Sequence, residues 1–429
     1  MFKCRFYRIG FLVAVCAFLS NMAYAAGSGA FRDETVDAQT LSMGNAFTGE
    51  ANTPAAVYYN PAGLNQMDST TITLSDAVIA PRADFKNTAG DDFQMRNHEY
   101  DVPAFYAVVP IIKNKVTVGV GVGSYWGLGT DWNPDSALRY AATQNNLINT
   151  DSMITGAYQI TNQWSFAVGV DNDYSKADEN KKFPNSYDPS PIDGNQELKA
   201  TDDAWGYRLA TMFKINDQNQ VGLMYRSPIV HHYSGNVYID GIGPTYSALL
   251  FNGATSYETK VTEKLTLPQS VVLGYSFKPT TKWTINFDLE WMDWASIKNE
   301  TYTFPNAPSS LSSFLNTGNP LVHDWTDSWS EGIGTEYKIT DRFRVRAGFY
   351  HHGTVGPGDY FDPAMPDLQA FGVTEGFGYD LTKNLTVDVG YSAQMFRPRK
   401  VSTVLASGMA NGTYHEFIND GVVSLTYKF

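Results

Sequence analysis

The sequence predicts an all-β membrane protein, an antiparallel transmembrane β-barrel of about fourteen strands with a small N-terminal hatch inside it. Three observations predict this fold. The chain begins with an export signal, apolar and polar residues alternate along many short segments, and short turns alternate with long polar loops. Aromatic residues make up 14% of the chain and charged residues only 17%. Yet no apolar run after the export signal reaches the ~18–20 residues that a membrane-spanning helix needs.

The N-terminus has the three parts of a Sec-type signal peptide. Basic residues precede an apolar run at 9–19, and a small-x-small pattern follows it. The basic residues are Lys3, Arg5 and Arg8, and the small residues of the cleavage pattern are Ala23 and Ala25. A retained anchor helix is the alternative, but the apolar run is too short to span a bilayer. We therefore expect cleavage near Ala25, removal of residues 1–25, and a mature chain in the cell outer membrane.

Cysteine content and charge exclude several classes of function. Both cysteines, Cys4 and Cys16, lie in the predicted signal peptide. We therefore expect no disulfide, zinc–thiolate site or cysteine nucleophile in the mature chain. The formal net charge of −13 would repel phosphates, so nucleic acid is not an expected partner.

Alternation of side chains predicts the strands. In the segment 283–291 every odd position is large and apolar and every even position is polar or charged. The same pattern occurs at 164–171, 343–349, 385–392 and 423–429. Successive side chains of a strand point to opposite faces, so each segment has one apolar and one polar face. A water-soluble sandwich and a lipid-facing barrel both remain compatible with this pattern alone.

The lengths of the connections favour the barrel. Six short polar turns are predicted near 113–114, 161–163, 216–219, 279–282, 340–341 and 382–384. Seven long connections are predicted at 81–98, 131–150, 178–200, 236–257, 297–325, 353–370 and 397–414. Short turns at one end and long loops at the other are typical of outer-membrane barrels, whose long loops are extracellular. The chain also ends on Phe429, and a final aromatic strand residue resembles the signal read by the outer-membrane assembly machinery.

Residues 26–69 do not follow the strand pattern and are rich in Ala, Gly, Asn and Thr. We expect this segment to be a hatch inside the lumen and residues 70–429 to form the barrel with its long extracellular loops. A barrel of this size would otherwise hold an aqueous channel. A general aqueous porin is therefore the alternative that the hatch argues against.

Several segments resemble the FadL/TodX-type transporters of hydrophobic compounds. The hatch signature of that family resembles 41–50 (LSMGNAFTGE) and 59–64 (YNPAGL), and the end of its third strand resembles 124–130 (SYWGLGT). Later matches are 267–270, 291–294, 346–350 and 365–367. They occur in order along nearly the whole mature chain.

The resemblance implies passive, ligand-gated uptake of long-chain fatty acids or, in one branch, of aromatic hydrocarbons. The substrate would leave sideways through a gap at a kinked third strand. On this chain the turn Asn60, Pro61 and Ala62 would face the gap, and Gly127 would sit at the kink. The alternatives are an ordinary turn at Asn60–Pro61 and a strand bulge at Gly127.

A hydrophobic solute needs exposed apolar surface for its capture. The residues Leu249, Leu250 and Phe251 in a Gly- and Ser-rich loop are candidates for a capture groove. Weaker candidates are Leu311, Phe314 and Leu315. The alternative is that these side chains pack loop against loop and cap the barrel.

A fatty-acid carboxylate would bind a cation inside the barrel. By the phase of the alternation, the inward-facing cations are Arg208, Arg226, Arg344 and Arg346. We take Arg226 and Arg346 as candidate ligand-binding residues, with a lumenal ion-pair network as the alternative. The resemblance to the FadL/TodX-type transporters aligns Lys181 with a basic position that contacts the ligand head group in that family.

An enzyme is not predicted. The seven histidines include two adjacent pairs, whose members would face opposite sides of a strand and so not converge on a metal. No catalytic or phosphate-binding motif stands out, and we predict no metal site and no cofactor. The expected partners are hydrophobic small molecules, outer-membrane lipid, lipopolysaccharide and the assembly machinery, with the chain as a monomer.

Overall fold

The computed structural model describes residues 31–32, 37–189, 191–402 and 408–429. Within these residues, 14 antiparallel strands form one closed barrel. The strands are β1 (Thr71–Asn87), β2 (Tyr100–Ile112), β3 (Val116–Gly123 and Gly127–Asp131), β4 (Gln144–Gln159), β5 (Trp164–Phe183), β6 (Gly194–Lys214), β7 (Asn219–Arg226 and Ile229–Asp240), β8 (Tyr257–Leu267 and Ser270–Thr280), β9 (Trp283–Met292), β10 (Ser328–Lys338), β11 (Phe343–His352), β12 (Ala370–Asp380), β13 (Leu385–Phe396) and β14 (Gly412–Lys428). The predicted barrel is therefore confirmed, whereas the predicted signal peptide lies outside the described residues.

The barrel closes between its first and last strands. β1 pairs with β14 along its whole length, from Thr71 opposite Lys428 to Asn87 opposite Gly412. Closure matters because an open edge would expose backbone N–H and C=O groups that lipid cannot bind. Four shorter ladder segments lie outside the strands named above, at Asp92–Gln94, Asn299–Glu300, Leu321–Val322 and Arg399–Val401.

The six short turns lie where the alternation ends, for example between Gln159 and Trp164 and between Asp380 and Leu385. We call the end of the barrel that carries these turns the short-turn end, and the opposite end the long-loop end.

The predicted long connections are too long, because strands continue into them. The predicted connection 178–200 contains the last residues of β5, to Phe183, and the first of β6, from Gly194. Both faces of these extensions are largely polar, so alternation no longer marks them although the backbone still pairs.

The two faces of the wall differ as the alternation predicts. On β5 the outward residues Trp164, Phe166, Val168 and Val170 are exposed, and the inward residues between them are buried. The inward positions carry small or polar side chains such as Asp171. The apolar face of the barrel therefore points outward, and the polar face lines the lumen.

Short helices complete the described structure. Inside the barrel lie α1 (Ala38–Ser42), α2 (Ala56–Tyr59) and a 3-10 helix at Pro61–Gln66, while α3 (Pro244–Leu249) and α4 (Ser309–Leu315) lie in long loops. Further 3-10 turns occur at Trp294–Ser296, Gly358–Tyr360 and Gly408–Ala410. Among the residues described, no helix is both long and apolar enough to cross a membrane.

Glycines in the wall let the hatch backbone lie directly against the strands. A Cβ atom on Gly222 or Gly334 would stand 2.1 Å from the carbonyl oxygen of Thr48 or Met43, respectively. A Cβ on Gly274 would stand 2.3 Å from the amide nitrogen of Gly49. Any larger residue would push the hatch inward, so these glycines fix where the hatch can sit.

Side chains of the wall bind the hatch backbone. Asp288 of β9 accepts hydrogen bonds from the amides of Phe47 at 3.0 Å and Thr48 at 2.8 Å. Arg208 of β6 donates to the carbonyl oxygen of Val57 at 3.1 Å. These charge-assisted bonds replace the partners that the irregular hatch backbone would otherwise lack.

Candidate functional site

The barrel wall is interrupted in β3. The first half of this strand pairs with both β2 and β4, but the second half, Gly127–Asp131, pairs with β4 alone. On the other side, β2 residues 101–104 pair with β1, and in the described structure the backbone ladder between β2 and β3 begins only at Phe105. We call the resulting opening between β2 and the second half of β3 the window.

A bulge produces the window. Gly123 stands opposite Asp151 of β4, and Gly127 stands opposite Ile148. Three residues of β3, 124–126, therefore face two residues of β4. An extra residue in one strand bends that strand and ends regular pairing on its far side. The bend carries the second half of β3 away from β2.

Paired residues close the window at both ends, and one side chain covers it. At the short-turn side Phe105 pairs with Val122. At the long-loop side the amide of Arg96 donates to the carbonyl oxygen of Asp131 at 2.7 Å. Between them the ring of Tyr100 lies so near Gly129 that a Cβ there would stand 2.6 Å from the ring.

The N-terminal segment binds the edge of the interruption. The amide of Gly127 donates to the carbonyl oxygen of Phe31 at 2.8 Å, and Arg32 forms a β-bridge with Trp126. Arg32 also forms an ion pair with Glu290 on β9. A displacement of this segment would therefore free backbone groups of β3 at the window.

The hatch contacts the interruption through two stacked tyrosines. The ring of Tyr58 in α2 lies 3.7 Å from that of Tyr125 in the bulge, measured between centroids, and the planes differ by 26°. The hydroxyl of Tyr125 is 2.8 Å from that of Tyr106 in β2. The guanidinium of Arg226 lies 3.8 Å over the other side of Tyr58. Hatch, bulge and intact wall therefore meet at Tyr58.

The residues assigned to the gate from the sequence occupy two places. Gly127 is the first residue after the bulge. Asn60, Pro61 and Ala62 do not face the window: Asn60 donates to the carbonyl oxygen of Thr211 on β6 at 3.2 Å, and the carbonyl oxygen of Ala62 accepts from Ser165 on β5 at 2.8 Å. Pro61 opens a short 3-10 helix, which packs against β3 to β6 on the same side of the barrel as the bulge. Tyr58 is the hatch residue at the bulge, and sequence patterns alone did not single it out.

The candidate capture residues divide between a buried cluster and an exposed surface. Phe251 is buried against Phe183, Tyr257 and Phe314, and Leu311 is buried too, while Leu250 and Leu315 are half-buried beside this cluster. These side chains pack one loop against another, which is the alternative that the sequence left open to a capture groove. Leu249 is instead 73% exposed. Two further exposed residues, Tyr187 at 72% and Ile192 at 82%, lie on the loop between β5 and β6.

Lys181 lies among carboxylates near the long-loop end. Its charge acts on the half-buried Glu179 and Asp362, and Glu300 interacts with Glu179 in turn. Burial raises the pKa of Asp362. His323 pairs with Glu300 at 3.2 Å; burial opposes the protonated ring, but Glu300 outweighs it and the pKa of His323 is raised. The cation expected to meet a ligand head group is thus already surrounded by acidic groups.

The two candidate arginines have partners of their own. Arg346 is buried and donates to Glu336 and Asp388, both at 2.8 Å. Arg226 donates to the hydroxyl of Tyr58 at 2.9 Å, while its Nε atom has no hydrogen-bond partner among the described residues. Arg346 therefore belongs to a lumenal ion-pair network, whereas Arg226 supports the hatch beside the bulge.

Comparison with known proteins is consistent with this geometry. The family model described as outer membrane protein transport protein (OMPP1/FadL/TodX) matches residues 16–425. A putative outer membrane protein of Neisseria meningitidis serogroup B is 25% identical, covering 91% of each chain. The long-chain fatty acid transport protein of Escherichia coli O6:H1 is 23% identical, covering 91% of each chain.

Two solved structures share the fold. A Pseudomonas aeruginosa FadL homologue superposes with a TM-score of 0.80 at 18% identity, covering 94% of this chain and 100% of its own. The toluene transporter TodX of Pseudomonas putida superposes with a TM-score of 0.70 at 18% identity, covering 94% and 99%. At these identities the structures support the fold rather than a particular substrate.

Proposed function

Because the chain belongs to the outer membrane protein transport protein family (OMPP1/FadL/TodX), we propose that it takes up hydrophobic compounds by passive diffusion and releases them sideways through the window. The single observation that carries the proposal is the loss of pairing between β2 and the second half of β3. A gap in an otherwise closed barrel gives an apolar solute an exit that avoids the hatch and the charged lower lumen.

Capture begins at the long-loop end, which we take to be extracellular. The exposed side chains of Tyr187, Ile192 and Leu249 offer apolar surface there. Tyr187 also contacts Tyr246 of α3, with 5.3 Å between ring centroids, so the two loops form one surface. Each methylene group buried against such a surface contributes ~0.8 kcal/mol, so a long acyl chain would bind well in a shallow groove.

The lumen below favours a sideways exit. The hatch occupies it, and buried charges line the remaining wall, among them Arg208 with Asp171 at 2.7 Å and Arg346 with Asp388. An apolar solute moving axially would strip water from these charges without replacing their hydrogen bonds. The window edges instead carry Val102, Ala104 and Leu128, so the lateral path retains apolar contact.

Opening of the window requires movement at the tyrosine stack. A solute that displaces Tyr125 from Tyr58 would also release the hydrogen bond to Tyr106. The covering ring of Tyr100 would then be free to swing from Gly129. Ligand binding therefore gates the window, and the process needs neither a cofactor nor an energy source. We also propose that the chain acts as a monomer and that Phe429 takes part in its assembly.

Long-chain fatty acids are the substrates we propose, since two relatives that match this chain over 91% and 92% of their own length are named long-chain fatty acid transport proteins. Aromatic hydrocarbons are the second candidate, and one observation favours them. The acidic side chains of Glu179 and Asp362 already interact with Lys181 and compete with a carboxylate head group for it, whereas an uncharged solute needs no cation there.

The test is uptake by cells that lack their own fatty-acid importer and express this protein. Labelled oleate, labelled toluene and a small labelled sugar would be compared, with folding checked by heat-modifiable gel mobility. We expect oleate uptake several times that of empty-vector cells, and no change for the sugar. Toluene uptake without oleate uptake would select the second candidate. Sugar uptake without either would contradict the transporter proposal and indicate a porin.

A further inference from the structure

Charged side chains close the window at its long-loop end. The buried carboxylate of Asp131, the last residue of β3, accepts a hydrogen bond from Nε of Arg96 at 2.8 Å and another from Nη2 of the same guanidinium. The second carboxylate oxygen is bonded to Nε2 of His98. Both partners precede β2 in the chain, so these bonds join the two sides of the window. We call Asp131, Arg96 and His98 the clasp.

The two sides of the window have the same length. Eight residues separate Phe105 from Arg96 on the side of β2, and eight separate Val122 from Asp131 on the side of β3. The sides therefore meet in matched pairs at both ends of the window. At the rise of a strand, each side is about 30 Å long when fully extended. The window is thus a slit with two closed ends and differs from a frayed strand end.

Closed ends limit how far a slit can widen. Its two sides can separate only by bowing between the ends, and the β3 side is also held by its ladder with β4. A slender acyl chain needs little separation, whereas a bulky ring system needs much more. Without the clasp, the segment before β2 could swing away from β3, and the slit would become a notch that opens toward the long loops. The clasp therefore limits the cross-section of a solute that leaves through the window.

The second half of β3 has anchors that do not depend on the clasp. The hydroxyl of Thr130 donates to the carbonyl oxygen of Ala364 at 3.0 Å, and the indole nitrogen of Trp132 donates to that of Pro363 at 2.9 Å. Both acceptors lie in the loop between β11 and β12. On the side of β2, Met95 forms a β-bridge with Trp132. Loss of the clasp would therefore loosen the segment before β2 and leave the strand itself in place.

We propose that the clasp selects solutes by size at the window, with Asp131 as its positioning residue. The side chains of Arg96 and His98 are about half exposed, whereas that of Asp131 is buried. The carboxylate thus holds two side chains of the facing segment from within the wall. The inference rests on the proposed lateral release and adds a property of the substrate: slender solutes pass, and bulky ones are held back, whatever their head group.

The test compares a slender and a bulky solute of equal charge. Labelled oleate and a fatty acid that carries a bulky fluorophore at the end of its chain are supplied to cells that lack their own fatty-acid importer. The variant Asp131→Asn removes the charge that holds the clasp. Its matched control is Asp193→Asn, because Asp193 accepts from Nε of Arg139 at the same 2.8 Å between two other long loops. Heat-modifiable mobility checks folding, and amide exchange at Arg96 reports on the clasp.

We expect Asp131→Asn to raise the ratio of bulky to slender uptake about tenfold, since a hydrogen bond to a charged group contributes on the order of tenfold to an equilibrium. The Arg96 amide should exchange faster by a similar factor. The variant Arg96→Gln/His98→Gln, which removes the cations from the facing segment, should raise the ratio as well, and Asp193→Asn should keep the wild-type ratio.

An unchanged ratio in a folded Asp131→Asn protein, or an equal rise for both solutes, would overturn the proposal. If wild type takes up toluene instead of oleate, the same ratio is measured for pyrene against toluene. Failure of wild type to take up either slender solute would contradict the proposed function itself, which separates that failure from a failure of the clasp.

Discussion

The substitution Asp288→Ala probes how firmly the wall holds the hatch. The carboxylate of Asp288 accepts from the amides of Phe47 and Thr48 at 3.0 and 2.8 Å. Asp288 is buried, and its other oxygen has no hydrogen-bond partner among the described residues. Alanine removes the oxygen that accepts both hydrogen bonds and leaves two buried N–H groups without this partner.

The magnitude follows from the bonds removed. Hydrogen bonds to charged groups contribute about 1.5–3 kcal/mol each, so two of them contribute about 3–6 kcal/mol before any compensation. Removing a buried carboxylate also relieves its desolvation penalty. A net loss of about 3 kcal/mol in hatch docking remains, which corresponds to about a hundredfold rise in the open population of this segment.

Amide hydrogen exchange measures that population directly. The amides of Phe47 and Thr48 should exchange about a hundred times faster in the variant, and amides of β9 paired with β10 should keep their rates. The control Asp341→Ala removes an exposed carboxylate from a short turn and should leave the hatch unchanged. Unchanged exchange at Phe47 and Thr48 in a folded Asp288→Ala protein would refute the reasoning.

Three further results are expected. Gly334→Ala places a Cβ 2.1 Å from the Met43 carbonyl oxygen and should destabilise hatch docking by about 1–3 kcal/mol. Ion conductance in planar bilayers should therefore rise. The control Gly156→Ala, whose Cβ meets no atom within 4 Å, should leave the conductance unchanged. Tyr125→Phe removes the hydroxyl contact with Tyr106 and should ease opening, so initial uptake rates should increase by a few fold; a decrease would contradict the gating role. Leu249→Ser should lower capture of hydrophobic solute with an unchanged melting temperature, but Phe251→Ala, in the buried cluster, should lower the melting temperature of the loops as seen by circular dichroism.

Much of the barrel could be predicted because a strand between lipid and a polar lumen has alternating apolar and polar residues in its sequence. The segment 283–291 was recognised in this way, and β9 spans Trp283–Met292. The six short turns were recognised because they interrupt that period. The extensions of β5 and β6 were missed, since their outward residues face water or head groups and no longer need to be apolar.

The site was harder to predict because it depends on contacts between distant segments. Tyr58 and Tyr125 are ordinary aromatic residues in the sequence, and only the fold stacks them. The wall glycines, such as Gly274, mark strand positions against which the hatch lies. A glycine at a lumen-facing strand position could have indicated a close contact with the hatch, but only if the position of the hatch were already known.

The most direct test of the central claim is a reversible cross-link across the window. The mature chain is expected to have no cysteine, so the pair Tyr100→Cys/Gly129→Cys can be joined selectively by a short bis-methanethiosulfonate reagent and released by reductant. The control pair, Phe105→Cys/Val122→Cys, lies on the same strands where they are already paired. Lateral release predicts that cross-linking the window pair abolishes uptake, that reductant restores it, and that the control keeps its uptake throughout. Full uptake through a cross-linked window would contradict the account.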